Sequence, residues 1–509
     1  MSRPLKMGAA AGVVGASVLI SRLLALGRES LLAALIGIDT EGDLYRQAFT
    51  IPDFLNYLLA GAYLTITLIP ILSRHLERGD SEAASQAFTS VFRFVAWAIL
   101  GLTVLMWIGA EPLVSLIFPE VPDPDRLVSL TRLVLPAQVF LVMGALLMAV
   151  QYTHRRFVLP ALAPIIYNLG IIAGGLAGAA MGDAGPEGFL WGAVIGSALG
   201  NFGLQWFGAR STGTWFASMP RGESSVKEYL FLALPLMLGQ SVAVLDEQFV
   251  RWFGQVEEGA TTALSFARQL NMVPVGVIAQ AAGVAAFPFL ARLAAGGDEE
   301  ELTRTTGRAA RNTVFVAAAA TAVLIVLARP LVRLLYQHGE FNAADTELVS
   351  GLLIIYAFSI PAWGLHQILS RHFYAKRMMW RVVLIGTVGT VVAIPVWLGL
   401  YDSMGVEGFA LASTLVMTGY AVALLIAWGI DAGWAPVRAL VPSLLRGLVA
   451  AGLAALAAYP LVRALFDDEL SLLEGLAAAA LGGVTTVAVF LGVSWVLRAP
   501  ELRDLIRRG

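Results

Sequence analysis

Arg22, Arg28 and Glu29 lie within "SRLLALGRES", residues 21–30, a charged interruption of an otherwise apolar stretch. The intrusions recur at Asp43, Arg46 and Asp53, and later at Asp246, Glu247, Arg251 and Arg268. The guanidinium of arginine is a rigid fork of donors that grips a phosphate through two parallel hydrogen bonds. Arginines in excess of their local acids therefore suit the binding of an anion, and carboxylates such as Glu29 or Asp43 can orient or gate the fork. Spacing supports a grouping: Arg22 and Glu29 are seven apart on one helical face, Asp43 and Arg46 are i,i+3, and Glu247 and Arg251 are i,i+4.

No bond-making chemistry competes with this reading. The 5 histidines are scattered, and no HExxH, GxxxxGK or GxSxG pattern occurs. The chain has no cysteine, which removes disulfides, thiolate metal sites and thiol nucleophiles. No catalytic residue, cofactor or metal is expected, and the protein is not expected to be an enzyme. The net charge of -2 and the lack of a basic tract argue against a nucleic-acid partner.

The elements that must position these charges follow from composition. Of 509 residues, 58% are hydrophobic and 14% charged, with a mean hydropathy of +0.75. Soluble domains carry about 25% charged residues. Long apolar windows repeat along the chain and predict an all-α polytopic membrane protein of about fourteen transmembrane helices. The first apolar run continues past Arg28 to about Ile38, too far for a cleaved signal peptide. Arg3 and Lys6, Arg74 and Arg78, Arg155 and Arg156, and later clusters as far as Arg507 and Arg508 make every second loop basic. Intervening loops such as "IDTEGD", "QVEEG" and "FDDEL" are acidic. The positive-inside rule then places both termini in the cytoplasm.

An internal repeat is visible. "PILSRHLERGD" at residue 70 returns as "PFLARLAAGGD" at 288, and "EPLVSLIF" at 111 returns as "RPLVRLLY" at 329, one common offset of 218. The offset covers six expected spans, an even number, so the two halves share one orientation. This predicts two parallel six-helix lobes, residues 1–220 and 221–435, with two further helices and a cytoplasmic tail in 436–509, and a cavity between the lobes.

The charges listed first fall within expected spans 1, 2, 7 and 8. Facing lipid at mid-depth, each would cost roughly 2.5–3.5 kcal/mol. Together they would approach the stability of an ordinary fold, about 5–15 kcal/mol, so they must face protein or water. Two readings stay open: ion pairs that knit helices together in a membrane scaffold, or the lining of a transport cavity for an anion. In the second, Arg22, Arg28, Glu29, Asp43, Arg46, Asp53, Arg251 and Arg268 are the candidate substrate-binding residues. Pro52, which should kink span 2, joins Asp246 and Glu247 as candidate gating or coupling residues.

The sequence resembles the MurJ/MviN family of lipid II flippases, within the superfamily that also holds multidrug and polysaccharide exporters. Four stretches carry the likeness: "SRLLALGRES"; "DLYRQAFTIPDFLNYLLAGAYLTITLIPILS"; "LPALAPIIYN"; and "LLYQHGEFNAADT". The resemblance implies movement of an undecaprenyl-diphosphate-linked glycan, most simply lipid II for peptidoglycan synthesis, across the bacterial inner membrane. It also implies a lipid-tail groove on the last two helices. Arg22, Arg28 and Asp43 match functional cavity positions of the family, and Glu29 stands where the family has an aspartate. Departures are local: Asn56-Tyr57 replace a basic pair, Gln269 stands where an arginine is expected with Arg268 beside it, and Met272 replaces a polar residue. Ala60-Gly61-Ala62 replace "AEG", and span 11 lacks the Asn or Asp that a cation site shared with Asp246 would use. A flippase for another lipid-linked oligosaccharide, or a multidrug-type exporter, is the alternative; protein partners are not legible.

Overall fold

The computed structural model describes residues 7–58, 64–182, 184–218, 224–238, 242–279, 285–465 and 472–502. These form helices and short connections, with no strand among the described residues. Seven of the helices are long and apolar enough to cross a membrane, or eight if the bent pair Ala343–Ala357 and Ile360–Ala375 is one span. The protein is thus an all-α, membrane-crossing chain, and the full set of about fourteen spans stays an expectation. Expected spans 11 and 12 run together as Met379–Ala432, with a sharp turn at Gly405, where φ is 60. Expected span 2 is divided into Thr40–Gln47, Thr50–Leu58 and Leu64–Glu77.

The helices follow from apolar runs closed by polar caps. Asp39, Asp80, Asp123 and Asp298 each accept a hydrogen bond from the first-turn backbone of the helix that follows. Asn342 and Asp345 form a reciprocal capping box at the start of Ala343–Ala357. Such caps satisfy N–H groups that have no partner inside the helix.

The repeat seen in sequence has a repeated geometry. After Leu64–Glu77, the Gly79 N–H bonds the Leu76 carbonyl at 3.0 Å, and the Asp80 N–H bonds the His75 carbonyl at 3.0 Å. Offset by 218, the Gly297 N–H bonds the Ala294 carbonyl at 3.3 Å, and the Asp298 N–H bonds the Leu293 carbonyl at 3.1 Å. Both glycines are left-handed, with φ of 75 and 73. Asp80 then caps Ala83 at 2.8 Å, and Asp298 caps Glu301 at 3.0 Å. The halves diverge further along. Gly109 ends the helix Ser81–Ile108, whereas the residue at that offset is Leu327, inside the uninterrupted helix Glu299–Tyr336.

The chain gathers into two compact units: Met1–Gln240 with Gly254–Thr262 and His338–Phe341, and Ser241–Phe253 with Ala263–Gln337 and Asn342–Gly509. Two short segments from the later half therefore belong to the first unit. One is tied down by the Glu340 N–H, which bonds the Ala34 carbonyl at 3.0 Å. The first unit's core includes Leu72, Phe88, Val91, Leu146 and Val150. Its helices Val158–Ala180 and Pro186–Gly196 approach so closely that a Cβ on Gly174 would stand 2.2 Å from the Gly188 carbonyl oxygen. Small residues of this kind allow tight helix pairs in membranes.

The second unit has a core around Ile368, Phe373, Leu424 and Trp428. A further cluster, Phe315, Ala318, Ala450, Ala454 and Phe490, fixes Trp434–Leu465 and Leu472–Val496 against Glu299–Tyr336. Large apolar side chains such as Trp97, Phe207, Leu456 and Trp495 point outward. That arrangement suits lipid as the surrounding solvent.

Candidate functional site

In the first unit the charges of expected spans 1 and 2 converge on Glu29. Its Oε1 accepts from Arg28 Nη2 at 2.6 Å, and its Oε2 from Arg46 Nη2 at 2.9 Å. The carboxylate is 5% exposed, with Arg28 at 21% and Arg46 at 12%. Arg28 Nη1 also donates to Asn168 Oδ1 at 3.3 Å. Asn168 in turn donates through Nδ2 to the Pro164 carbonyl at 2.8 Å and to Ser21 Oγ at 3.4 Å. One carboxylate thus serves two arginines.

Local sequence explains how Arg46 reaches this point. A proline has no N–H to return to the carbonyl four residues earlier. For Pro52 that carbonyl belongs to Ala48, and the helix breaks at Ala48–Phe49. Helical bonding resumes with the Asp53 N–H on the Phe49 carbonyl at 2.8 Å. The break separates Thr40–Gln47, which carries Arg46, from Thr50–Leu58, which carries Asp53. The interruption thus falls in the turn preceding Pro52.

Asp43 has a further partner that its spacing does not reveal. It is buried and accepts the Thr262 N–H at 2.8 Å, while Gln47 Nε2 donates to Thr261 Oγ1 at 3.3 Å. Both threonines belong to the segment Gly254–Thr262 of the first unit and open the helix Ala260–Ala279. Asp43 thus caps a helix start remote in sequence, where first-turn amides and the helix dipole both favour an anion. Nearby, Arg126 grips Glu41 with Nε at 3.3 Å and Nη2 at 3.1 Å and also bonds Glu187. Asp39, which caps Thr40–Gln47, has its carboxyl pushed above the usual range by burial, against the opposing hydrogen bond from the Gly42 N–H.

The second unit holds a counterpart trio. Glu247 Oε1 accepts from Arg251 Nη2 at 3.0 Å, and Oε2 lies 3.3 Å from Arg268 Nη1. Again each carboxylate oxygen serves a separate arginine. The offset that carries residue 70 onto 288 also carries Glu29 onto Glu247. Solvation differs: the Glu247 side chain is 42% exposed, while Arg251 and Arg268 are 10% and 15% exposed.

Of the residues proposed from sequence, Arg28, Glu29 and Arg46 are brought together in one unit, and Glu247, Arg251 and Arg268 in the other. Arg22 is exposed two turns before Glu29 and stands outside the trio; among the described residues it forms no ion pair. Asp53 is half-buried. Asp246 lies on the helix Val242–Phe253, but its side chain is outside the described residues. Asn168 was not singled out by sequence reasoning, although a buried polar residue four after Pro164 in "LPALAPIIYN" was the available signal.

The family model described as lipid II flippase MurJ matches residues 32–476. A probable lipid II flippase MurJ of Rhizobium meliloti (strain 1021) is 27% identical over 422 residues, covering 81% of this chain and 78% of that protein. A solved structure of lipid II flippase MurJ in an inward closed conformation superposes with a TM-score of 0.75 at 22% identity, covering 97% of this chain and 99% of that one. An inward-facing multidrug resistance MATE family transporter of the MOP superfamily shares the fold with a TM-score of 0.66 at 16% identity, covering 82% of this chain and 96% of that one.

Proposed function

The chain belongs to the MurJ family of lipid II flippases, and from that premise we propose that it moves lipid II, an undecaprenyl-diphosphate-linked glycan precursor of peptidoglycan, from the inner to the outer leaflet of the bacterial inner membrane by alternating access. Both termini face the cytoplasm in this reading. Lobes of six helices, 1–220 and 221–435, perform the conformational change, and the helices in 436–509 accommodate the polyprenyl chain. The protein carries its substrate without chemical conversion and uses no cofactor.

The observation that supports this best is the gathering of arginines in expected membrane spans. Arg28 and Arg46 meet on Glu29, and Arg251 and Arg268 meet on Glu247, each largely enclosed. A diphosphate has oxygens enough to engage several guanidinium forks at once. Arg28 and Arg46 are the proposed ligands in the first unit, with Arg22 meeting the headgroup from its exposed position; Arg251 and Arg268 are those of the second. Asp43 and Asp53 orient or gate, and Asp246 with Glu247 completes the gating set. An exporter of amphipathic cations, the reading suggested by the MATE fold, calls for carboxylates brought together, whereas here it is arginines that are brought together on a carboxylate.

The test is complementation of a bacterial strain depleted of its lipid II flippase. Wild type should restore growth, and Arg28→Ala should not, at equal membrane abundance. Failure of wild type at good expression would redirect the assignment to another lipid-linked sugar. Rescue by Arg28→Ala would remove Arg28 from the binding residues.

A further inference from the structure

A polar seam joins the helices Met7–Leu35 and Val158–Ala180 of the first unit. Ser17 Oγ donates to the Ala161 carbonyl. Further along, Asn168 Nδ2 donates to the Pro164 carbonyl at 2.8 Å and to Ser21 Oγ at 3.4 Å, and its Oδ1 accepts from Arg28 Nη1 at 3.3 Å. One buried amide therefore touches Ser21 and Arg28, seven residues apart on one face of the first helix. Its neighbours fix its orientation. A backbone carbonyl only accepts and a guanidinium only donates, so the amide nitrogen must face Pro164 and the oxygen must face Arg28.

We propose that Asn168 is the positioning residue of Arg28: its neutral oxygen aims the guanidinium and leaves the charge for a diphosphate. The inference rests on the reading of Arg28 as a diphosphate ligand and adds a residue that sets its affinity. Among the described residues Arg28 bonds Glu29 and Asn168, and these differ in kind. Glu29 is an anion and takes Nη2 at 2.6 Å, whereas Asn168 takes Nη1 and brings no charge. A guanidinium held at both terminal nitrogens is ordered in advance, so a ligand does not spend binding energy on ordering it. A second carboxylate at residue 168 would hold the group as firmly, but would compete with phosphate oxygens for the same charge. Arg28 Nε is buried with no hydrogen-bond partner among the described residues. An unmet buried donor is costly, and an anion's oxygen that engages it recovers that cost.

The experiment measures binding of inorganic pyrophosphate, and in a second arm of a polyprenyl diphosphate in the same detergent, to the purified full-length protein. Wild type, Asn168→Ala, Asn168→Asp and Arg28→Ala are compared, together with the thermal midpoint of each without ligand. Arg28→Ala should bind more weakly than wild type. Asn168→Ala should bind about tenfold more weakly, about 1.4 kcal/mol, because the guanidinium loses its aim. Asn168→Asp should bind more weakly again, because its carboxylate takes the charge, yet its midpoint should be no lower than that of Asn168→Ala. Affinity and midpoint then rank the two variants in opposite orders. A residue that merely braced the helices would rank them alike, with the isosteric aspartate closer to wild type in both. Weakening with one probe alone also supports the inference and identifies whether the site reads a free or a lipid-borne diphosphate.

If Arg28→Ala weakens binding but Asn168→Ala binds as wild type does, or Asn168→Asp binds more tightly than Asn168→Ala, the positioning role falls and the diphosphate reading stands. If wild type binds neither probe, or Arg28→Ala binds as wild type does, the assignment of Arg28 falls and the inference with it. Where only one Asn168 variant folds, weaker binding by that variant supports the inference and unchanged binding overturns it. If neither folds, Asn168 is a packing residue and the inference is overturned.

Discussion

Glu29 and Glu247 occupy corresponding places in the two halves, each between two arginines, yet one is sealed in protein and the other is nearly half open to solvent. Similar clusters therefore sit in different surroundings. In a low-dielectric setting, breaking a paired charge leaves an uncompensated ion, and the loss is large. The more accessible the carboxylate, the smaller that loss. The repeat supplied the glutamate twice, while the arginines around it stand at positions the offset of 218 does not relate.

The largest effect should come from breaking the sealed side. Glu29→Gln keeps the shape of the side chain and removes its charge, leaving Arg28 and Arg46 to repel each other in an enclosed site. A loss of about 3–5 kcal/mol is expected, read as a lowered unfolding midpoint of the detergent-solubilised protein. Complementation should fail as well. Should Glu29→Gln unfold as wild type does, the difference in burial between the two glutamates would carry no energetic consequence.

Asp43→Ala comes next and separates two meanings of a buried acid. As a cap on the start of Ala260–Ala279, Asp43 should contribute about 1–2 kcal/mol, the range for loss of an N-terminal cap. Because the carboxylate accepts the Thr262 N–H, that amide should exchange with solvent faster in the variant, while amides in the middle of Glu299–Tyr336 keep their protection. Unchanged exchange at Thr262 would mean that the carboxylate serves something other than the helix end.

Much of this is legible in the sequence. Mid-span charges stood out because lipid penalises them, and the repeat appeared because two apolar strings shared one offset. The turn at Gly79 and Gly297 shows why that worked: a left-handed residue followed by an aspartate cap is set by local chemistry, and short strings encode it. Partners chosen across the fold were not legible. The i,i+3 spacing of Asp43 and Arg46 placed them near one another, but it did not reveal that Arg46 also reaches Glu29 or that Asp43 accepts the Thr262 N–H. Arg22, two turns from Glu29 on a straight-helix projection, lies exposed instead of in the trio. Periodicity reports which face a residue occupies and carries no information on what covers that face.

The repeated turn provides a control in which the halves should agree. Gly79→Ala and Gly297→Ala each force a Cβ into a left-handed conformation, with φ of 75 and 73. No neighbouring atom lies within 4 Å of the added Cβ at either site. Only the backbone term remains, about 1–2 kcal/mol, and it should be alike in both variants by thermal unfolding. Unequal losses would show that the surroundings of the two turns differ in ways the backbone does not report.

Glu247→Gln should have the smallest effect on stability. Its carboxylate is more accessible than that of Glu29, while both of its arginines are mostly enclosed. The loss should therefore be smaller than that of Glu29→Gln. A double-mutant cycle with Arg268→Ala isolates the Glu247–Arg268 arm; its coupling should be a few tenths of a kcal/mol and should shrink in added salt, as screened pairs do. The corresponding cycle of Glu29→Gln with Arg46→Ala should give a coupling several times larger and nearly indifferent to salt. Equal couplings in the two cycles would mean that exposure does not separate the trios, and that Glu247 is held as firmly as Glu29.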